Sequence, residues 1–322
     1  MDRIVTLTLN PALDKSAEVE RLVAEEKLHC EFAKTEPGGG GINVSKAIKK
    51  LGGNSLAIFT AGGSTGNRMK NLLTKLDVEF QAIEVESWTR ENFIIVEKST
   101  NSQFRFGMPA YNIKPEEAEQ CLDIIRNLHP KPTYLVASGS LPPGLPTDYY
   151  ARIAYLAKKI GAKFILDTSA EPLRVAANEG VFLLKPNLSE LGKMVGDDSL
   201  DITIADEAAR SIISKGHCEA VVVSLGAQGA ILVTDKKVDH IPAPTVKKRS
   251  TVGAGDSMVA GITHSLCEGK TLVDSVRMGV ACGTAATMNT GTELFQKHDV
   301  DRLYQWILNY QTRYAQNPEG LK

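Results

Sequence analysis

At 322 residues, 43% of them apolar, the chain is long enough to bury a large core and is ordinary in composition for a globular protein. A formal net charge of -1, with no long block of either sign, removes the electrostatic ground for expecting nucleic acid or an anionic membrane surface as partner. No uncharged apolar run reaches the ~18 residues a membrane span needs. The five cysteines are scattered without a CxxC pair, which argues against a disulfide framework or a thiolate zinc site and for a reducing cytoplasm.

Met1-Asp2-Arg3 leads directly into the β-branched run Ile4–Leu9, so a strand rather than a secretory signal is expected at the start. Further short apolar runs follow at Ser55–Thr60, Tyr134–Ala137, Phe164–Asp167, Phe182–Lys185, Ala220–Leu225 and Ala230–Thr234. Between them lie stretches of helical period: from Ile42 to Leu51, closed by Gly52-Gly53, then Pro115–Leu128, Thr147–Ile160, Ala205–Lys215 and Ala254–Cys267. This alternation predicts an α/β fold, a mostly parallel central sheet with helices on both faces and ligands beyond the carboxyl ends of the strands. Two segments break the rhythm, Ala17–Thr35 and Phe80–Phe106. They are expected to form a small antiparallel β lid, at about 15–36 and 80–107 of a single domain spanning 1–322, whose apolar face covers a ligand or a partner subunit. The polar tail after about Tyr310 is expected to fray.

Four segments carry candidate chemistry. In Glu36-Pro37-Gly38-Gly39-Gly40-Gly41-Ile42-Asn43, four glycines open a helix, which serves either a flexible turn or close approach to an anionic or hydroxyl-rich ligand. It is no dinucleotide fingerprint, because Asn43 stands where a third glycine is needed. Lys185-Pro186-Asn187-Leu188-Ser189-Glu190 spaces Asn187 and Glu190 three apart. Such a pair organises hydrated Mg²⁺ or simply caps a helix. Ser224-Leu225-Gly226-Ala227-Gln228-Gly229 is a tight turn or a bed for a nucleotide. Thr251-Val252-Gly253-Ala254-Gly255-Asp256 opens another helix with glycines. Its amides can hold a phosphoryl group, and Asp256 can accept a proton or merely stabilise the helix start. No Walker A motif occurs, and the six histidines have no metal-ligand spacing.

In this order along one chain, Gly38–Asn43, Asn187–Glu190 and Gly253–Asp256 resemble the signature segments of the ribokinase-like sugar kinases, phosphofructokinase B branch. The resemblance runs from Ile4 to beyond Gly291. It implies transfer of the γ-phosphoryl of ATP to a sugar hydroxyl, with Asp256 as base and Gly253, Ala254 and Gly255 as anion hole. It places the sugar at Asp14, Gly38, Gly39, Gly40, Gly41 and Asn43, and its phosphate at Arg90; Arg105, opposite Phe104 and Phe106 on a strand, either stands over the site or is an ordinary surface residue. Gly139 stands where a serine is expected beside the sugar. ATP is assigned to Lys185, Asn187, Ser224, Leu225, Gly226, Gln228, Gly229 and Lys248, Mg²⁺ to Asn187 and Glu190. A monovalent cation, K⁺, is assigned to Ser250, Val252, Ala286, Asn289 and Gly291, mostly through backbone carbonyls. Within the branch the similarity is strongest to the bacterial 6-phosphofructokinases, which implies fructose 6-phosphate as acceptor. The 1-phosphofructokinases and tagatose-6-phosphate kinases usually carry lysine at the position of Gly40. A homodimer through the lid is implied, with Lys27 reaching the neighbouring site, and Glu293 replaces an arginine. A silent sugar-phosphate sensor would have a degraded Asp256 or anion hole, and a nicotinamide dehydrogenase a complete fingerprint; neither holds here.

Overall fold

The computed structural model describes residues 3–291 and 293–316. The strands are β1 (Ile4–Thr8), β2 (Ala12–Val19), β3 (Glu31–Gly38), β4 (Leu56–Ala61), β5 (Glu79–Glu84), β6 (Arg90–Glu97), β7 (Ser102–Phe106), β8 (Tyr134–Ser138), β9 (Lys163–Asp167), β10 (Val181–Leu184), β11 (Cys218–Ser224), β12 (Ala230–Thr234) and β13 (Val238–Ile241). The helices are α1 (Gly40–Leu51), α2 (Gly63–Lys75), α3 (Pro115–Asn127), α4 (Tyr149–Ile160), α5 (Ala170–Ala177), α6 (Leu188–Val195), α7 (Ala205–Ser214), α8 (Ala254–Cys267), α9 (Leu272–Ala286) and α10 (Lys297–Gln316).

Nine strands form one sheet in the order β13-β12-β11-β10-β9-β8-β1-β4-β5. Neighbours from β11 to β5 pair parallel, and β12 and β13 close the other edge as antiparallel strands. Side chains alternate between two cores: Val5, Leu7, Leu135, Phe164 and Leu166 on one face, Ile4, Tyr134, Val136 and Ile165 on the other. Burial on both faces is why these strands read as continuous apolar runs instead of alternating ones. The second face is covered by α1, α8, α9 and α10. A Cβ on Gly261 would lie 2.8 Å from Cys282 Sγ, and one on Gly279 would lie 2.6 Å from Ile262 Cγ1. Small residues therefore let α8 and α9 approach closely, and they also dilute the helical period of α9, which the sequence pattern does not reveal.

The second sheet has the order β3-β2-β6-β7. Its outer pairs are antiparallel as expected, but β2 and β6 run parallel. Phe80–Glu84, expected in this lid, lies instead in β5 at the edge of the large sheet, paired with β4. One lid face carries Asp14, Asn92, Gln103 and Arg105 toward the ends of the large sheet. The other exposes Phe93, Phe104 and Phe106 in adjacent register. The tail does not fray at Tyr310, because α10 continues to Gln316; the remainder of the expected frayed tail lies outside the described residues. No helix among the described residues is long and apolar enough to cross a membrane.

Candidate active site

The carboxyl ends of β1, β8, β9 and β10 converge with the first turns of α1 and α8. Helix α8 starts at Gly253, whose φ of 70° only glycine adopts readily, and no side chain caps it there. The amides of Gly253 and Gly255 are therefore available at the cleft, while that of Ala254 donates to Thr251 O at 3.4 Å. Asp256 lies in that turn. Its Oδ2 accepts from Asn43 Nδ2 at 2.9 Å and its Oδ1 from the Ser138 hydroxyl at 3.3 Å. Ser138 Oγ also lies 3.4 Å from Asp167 Oδ2, and Lys185 Nζ pairs with Asp167 Oδ1 at 3.1 Å. Burial, seconded by the charge of Asp167, pushes the Asp256 carboxyl up to about 6, against the opposing pull of Asn43, Lys185 and Ser138. Burial alone would lower Lys185, but the carboxylate of Asp167, with Glu190 and Asp256 beyond it, holds it above the usual lysine range.

The lid closes one side of this cleft. Asp14 accepts from Asn92 Nδ2 at 2.9 Å, and burial raises its carboxyl while Asn92, Lys46 and Arg90 pull it back. Arg90 donates to the carbonyls of Asn10 and Met108, each at 3.3 Å, while its buried Nε has no partner. Burial lowers its pKa. A partly desolvated guanidinium beside a carboxylate and an amide suits a phosphorylated polyol. Arg105 sits farther out, donating to Thr251 Oγ1 at 3.1 Å, and Ser250 Oγ meets Gln103 at 3.2 Å. The lid thus touches the loop that leads into Gly253.

The glycine segment lies between lid and sheet. A Cβ on Gly38 would fall 2.1 Å from Asp14 Oδ2, and one on Gly40 2.3 Å from Ser138 Oγ and 2.6 Å from the Ser138 carbonyl carbon. The glycines are there for close approach rather than flexibility. One amide at this helix start is already engaged: Ile42 N donates to Thr8 Oγ1 at 2.8 Å.

On the opposite side, Asn187 and Glu190 cap α6 reciprocally, Glu190 N to Asn187 Oδ1 and Asn187 N to Glu190 Oε2, both at 2.9 Å. The capping arrangement is the one adopted, and it leaves Asn187 exposed at the cleft mouth. Among the described residues no group of three or more His, Cys, Asp or Glu forms a metal cage. Ser224 joins this region through its bridge to Asn187, and its amide donates to Pro186 O at 2.9 Å. Leu225 to Gly229 make a tight turn closed by Leu225 N to Gly229 O at 2.9 Å, with Gln228 and Lys248 exposed. Ser250 is tied to the C-terminal end of α9 by its amide bond to Thr287 O at 3.2 Å. Ala286 and Asn289 lie at that same helix end, whose partial negative charge suits a cation. Val252 directly precedes Gly253, the N-cap of α8, and Gly291 has a φ of 57°. Lys27 stands on the exposed loop between β2 and β3.

Sequence reasoning missed Ser138, Asp167, Lys46 and Asn92. Ser138 and Asp167 are the last residues of β8 and β9 and face each other in register; their signal was position at strand ends, where ligands bind. Gly139 is no substitute for a serine, because its φ of 109° disfavours any side chain, and Ser138 supplies the hydroxyl instead.

The model of the pfkB family carbohydrate kinases matches residues 7–298. The ATP-dependent 6-phosphofructokinase isozyme 2 of Mycobacterium tuberculosis is 43% identical over 94% of this chain and 89% of its own. Crystal structures of Escherichia coli phosphofructokinase-2 superpose with similar fidelity. The complex with potassium has a TM-score of 0.92 at 40% identity, and that with fructose-6-phosphate 0.90 at 38%. Each covers 96% of this chain and all of the other. With its two glycine-opened helices meeting over Asp256 beneath a β lid, the chain belongs to the pfkB family of carbohydrate kinases.

Proposed function

We propose that this kinase transfers the γ-phosphoryl group of ATP to the 1-hydroxyl of fructose 6-phosphate, giving fructose 1,6-bisphosphate. The observation that carries the reading is Asp256, lodged in the first turn of an uncapped helix with Asn43 and Ser138 on its two oxygens. Asp256 takes the hydroxyl proton. The sugar oxygen then bonds to the γ-phosphorus as the bond to the β–γ bridging oxygen breaks, leaving ADP. Gly253, Ala254 and Gly255 stabilise the transferring group through their amides. Asp14, Asn43 and Gly38 to Gly41 orient the sugar, and Arg90, with its unpartnered Nε, receives its phosphate. The similarity to a relative bearing the 6-phosphofructokinase name and to a structure holding fructose-6-phosphate supports this acceptor.

ATP lies along Ser224 to Gly229, with Lys185, Asn187 and Lys248 toward its phosphates. Asn187 and Glu190 would hold a hydrated Mg²⁺, which would supply positive charge to neutralise the phosphates. Ser250, Val252, Ala286, Asn289 and Gly291 would hold K⁺, whose charge would steady the loop before Gly253. The large sheet and the lid work as one kinase domain in a reducing cytoplasm, in keeping with five scattered cysteines that form no CxxC pair. A coupled ADP-release assay over fructose 6-phosphate, fructose 1-phosphate and tagatose 6-phosphate tests the acceptor. The highest kcat/KM is expected with fructose 6-phosphate, and a marked preference for fructose 1-phosphate overturns the choice.

The outer lid face supports a homodimer. Phe93, Phe104 and Phe106 are 37%, 40% and 46% exposed, an apolar patch that water disfavours. Lys27, on the loop at the edge of the same lid, would reach the partner's site. Phe93→Glu with Phe106→Glu is expected to yield monomers by sedimentation with an unchanged far-UV spectrum; a dimer that survives both changes excludes this face.

A further inference from the structure

Lys46 is a lysine in the second turn of α1 with only 6% of its surface exposed. Burying an ammonium is costly unless it is well bonded. Its Nζ donates to Pro37 O at 2.8 Å and to Asn43 Oδ1 at 3.4 Å. The other end of the same Asn43 amide, Nδ2, donates to Asp256 Oδ2 at 2.9 Å. The chemistry of the two neighbours orients the amide. An ammonium has donors only, so it must meet the oxygen, and an ionised carboxylate has acceptors only, so it must meet the NH₂.

We infer that Lys46 is a positioning residue: it locks the Asn43 amide so that the amide serves Asp256 only as a hydrogen-bond donor. A donor favours the ionised carboxylate, the form able to take a proton. Without Lys46 the amide can turn over whenever Asp256 is protonated and accept from its O–H, which stabilises the incompetent form. With Lys46 in place the turned amide would set NH₂ against NH₃⁺. The two bonds also fix the entry to the glycine segment, since Pro37 directly precedes Gly38. The inference rests on the reading of Asp256 as base.

The groups that face Asp256 are Asp167 at the end of β9, Lys185 after β10, the Ser138 hydroxyl of β8 and the Asn43 amide of α1. Burial lowers the Lys46 pKa from the usual lysine range; of the charges that face it, Glu36 of β3 and Asp14 of β2 favour its charge, and Lys34 of β3 and Lys50 of α1 oppose it. The Asn43 amide is among the leading influences on Asp256 and Lys46 is not, so the amide is the main route by which Lys46 acts on it.

The test is the pH profile of kcat for the full-length enzyme and for Lys46→Met, Lys46→Gln and Lys46→Arg. The wild-type acid limb is expected near the raised Asp256 value of about 6. Lys46→Met should move it upward by about half to one pH unit, the worth of one hydrogen bond to the protonated form. The alkaline plateau should change by only a few-fold. Lys46→Gln, which keeps a neutral donor to Pro37 O, should show the same shift if Lys46→Met does not fold. Lys46→Arg should restore the wild-type limb. In an Asn43→Ala background, Lys46→Met should move the limb no further. A uniform loss at all pH with an unmoved limb, or an equal shift without Asn43, overturns the inference. Titrating the Asp256 carboxyl by ¹³C NMR gives the same comparison without turnover. It tests Lys46 even if an active Asp256→Asn enzyme were to remove Asp256 from the role of base.

Discussion

Asp256→Asn is expected to lower kcat by a factor on the order of 10² or more, with little change in KM for the sugar phosphate. The amide keeps an oxygen for Asn43 and remains nearly the size of the carboxyl, so the cleft should hold its shape. The same change should stabilise the protein at neutral pH. The folded-state pKa of Asp256 is raised to about 6, above its ordinary 3.8. The unfolded chain therefore ionises first, and native stability is lost as pH rises from about 4 through about 6. Above that window the buried charge costs on the order of 2 kcal/mol, discounted for the open side of the cleft. An uncharged amide does not bear this cost, so Tm at pH 7 should rise by a few degrees. Below about pH 4 the two proteins should melt alike. Calorimetry at pH 7 and pH 4 beside steady-state kinetics checks both halves. An Asp256→Asn enzyme with near wild-type turnover would remove this residue from the chemistry, and one that melts lower at pH 7 would contradict the desolvated carboxylate.

Gly40→Ala should be nearly as damaging by a different route. The added methyl would stand 2.3 Å from Ser138 Oγ, 2.6 Å from the Ser138 carbonyl carbon and 2.7 Å from its oxygen. A hydroxyl can rotate away, but two backbone atoms cannot. Either the first turn of α1 or the end of β8 must shift by the better part of an ångström. Both carry groups that hold Asp256, Asn43 on one side and Ser138 on the other. A misplacement of that size costs on the order of 10² in kcat/KM, and overpacking costs roughly 1–3 kcal/mol of stability. Kinetics and a melting curve of the variant are the check. Wild-type kcat/KM would mean that the glycine segment yields without disturbing the cleft.

The parts of this site that were legible in the sequence are those whose backbone demands leave a residue signature. Four glycines before Ile42, and glycines at 253 and 255, announce close approach and an unusual helix start. The central strands were equally legible, because burial on both faces leaves continuous runs such as Leu135 to Ala137 and Ile165 to Leu166. The edge strands were not. Glu79–Glu84 alternates in exposure, a pattern that fits a lid as well as a sheet edge, and only its pairing with β4 decides between them. Asp167 and Ser138 look like ordinary strand endings until β8 and β9 align them. Lys46 reads as a surface lysine within a helical period. It is buried because α1 is packed against both the sheet and α8. The spacing of Asn187 and Glu190 was visible, but it serves the helix cap as well as any metal, and spacing cannot separate the two.

The central claim is that one cleft, with Asp256 as base, phosphorylates the 1-hydroxyl of fructose 6-phosphate. It is tested most directly by incubating the purified protein with ATP, Mg²⁺, K⁺ and fructose 6-phosphate and following ADP and the sugar product together by ³¹P NMR. The account predicts one ADP per fructose 1,6-bisphosphate, with formation of both reduced on the order of 10²-fold or more by Asp256→Asn. Absence of the bisphosphate, or its undiminished formation by the Asp256→Asn protein, would contradict it.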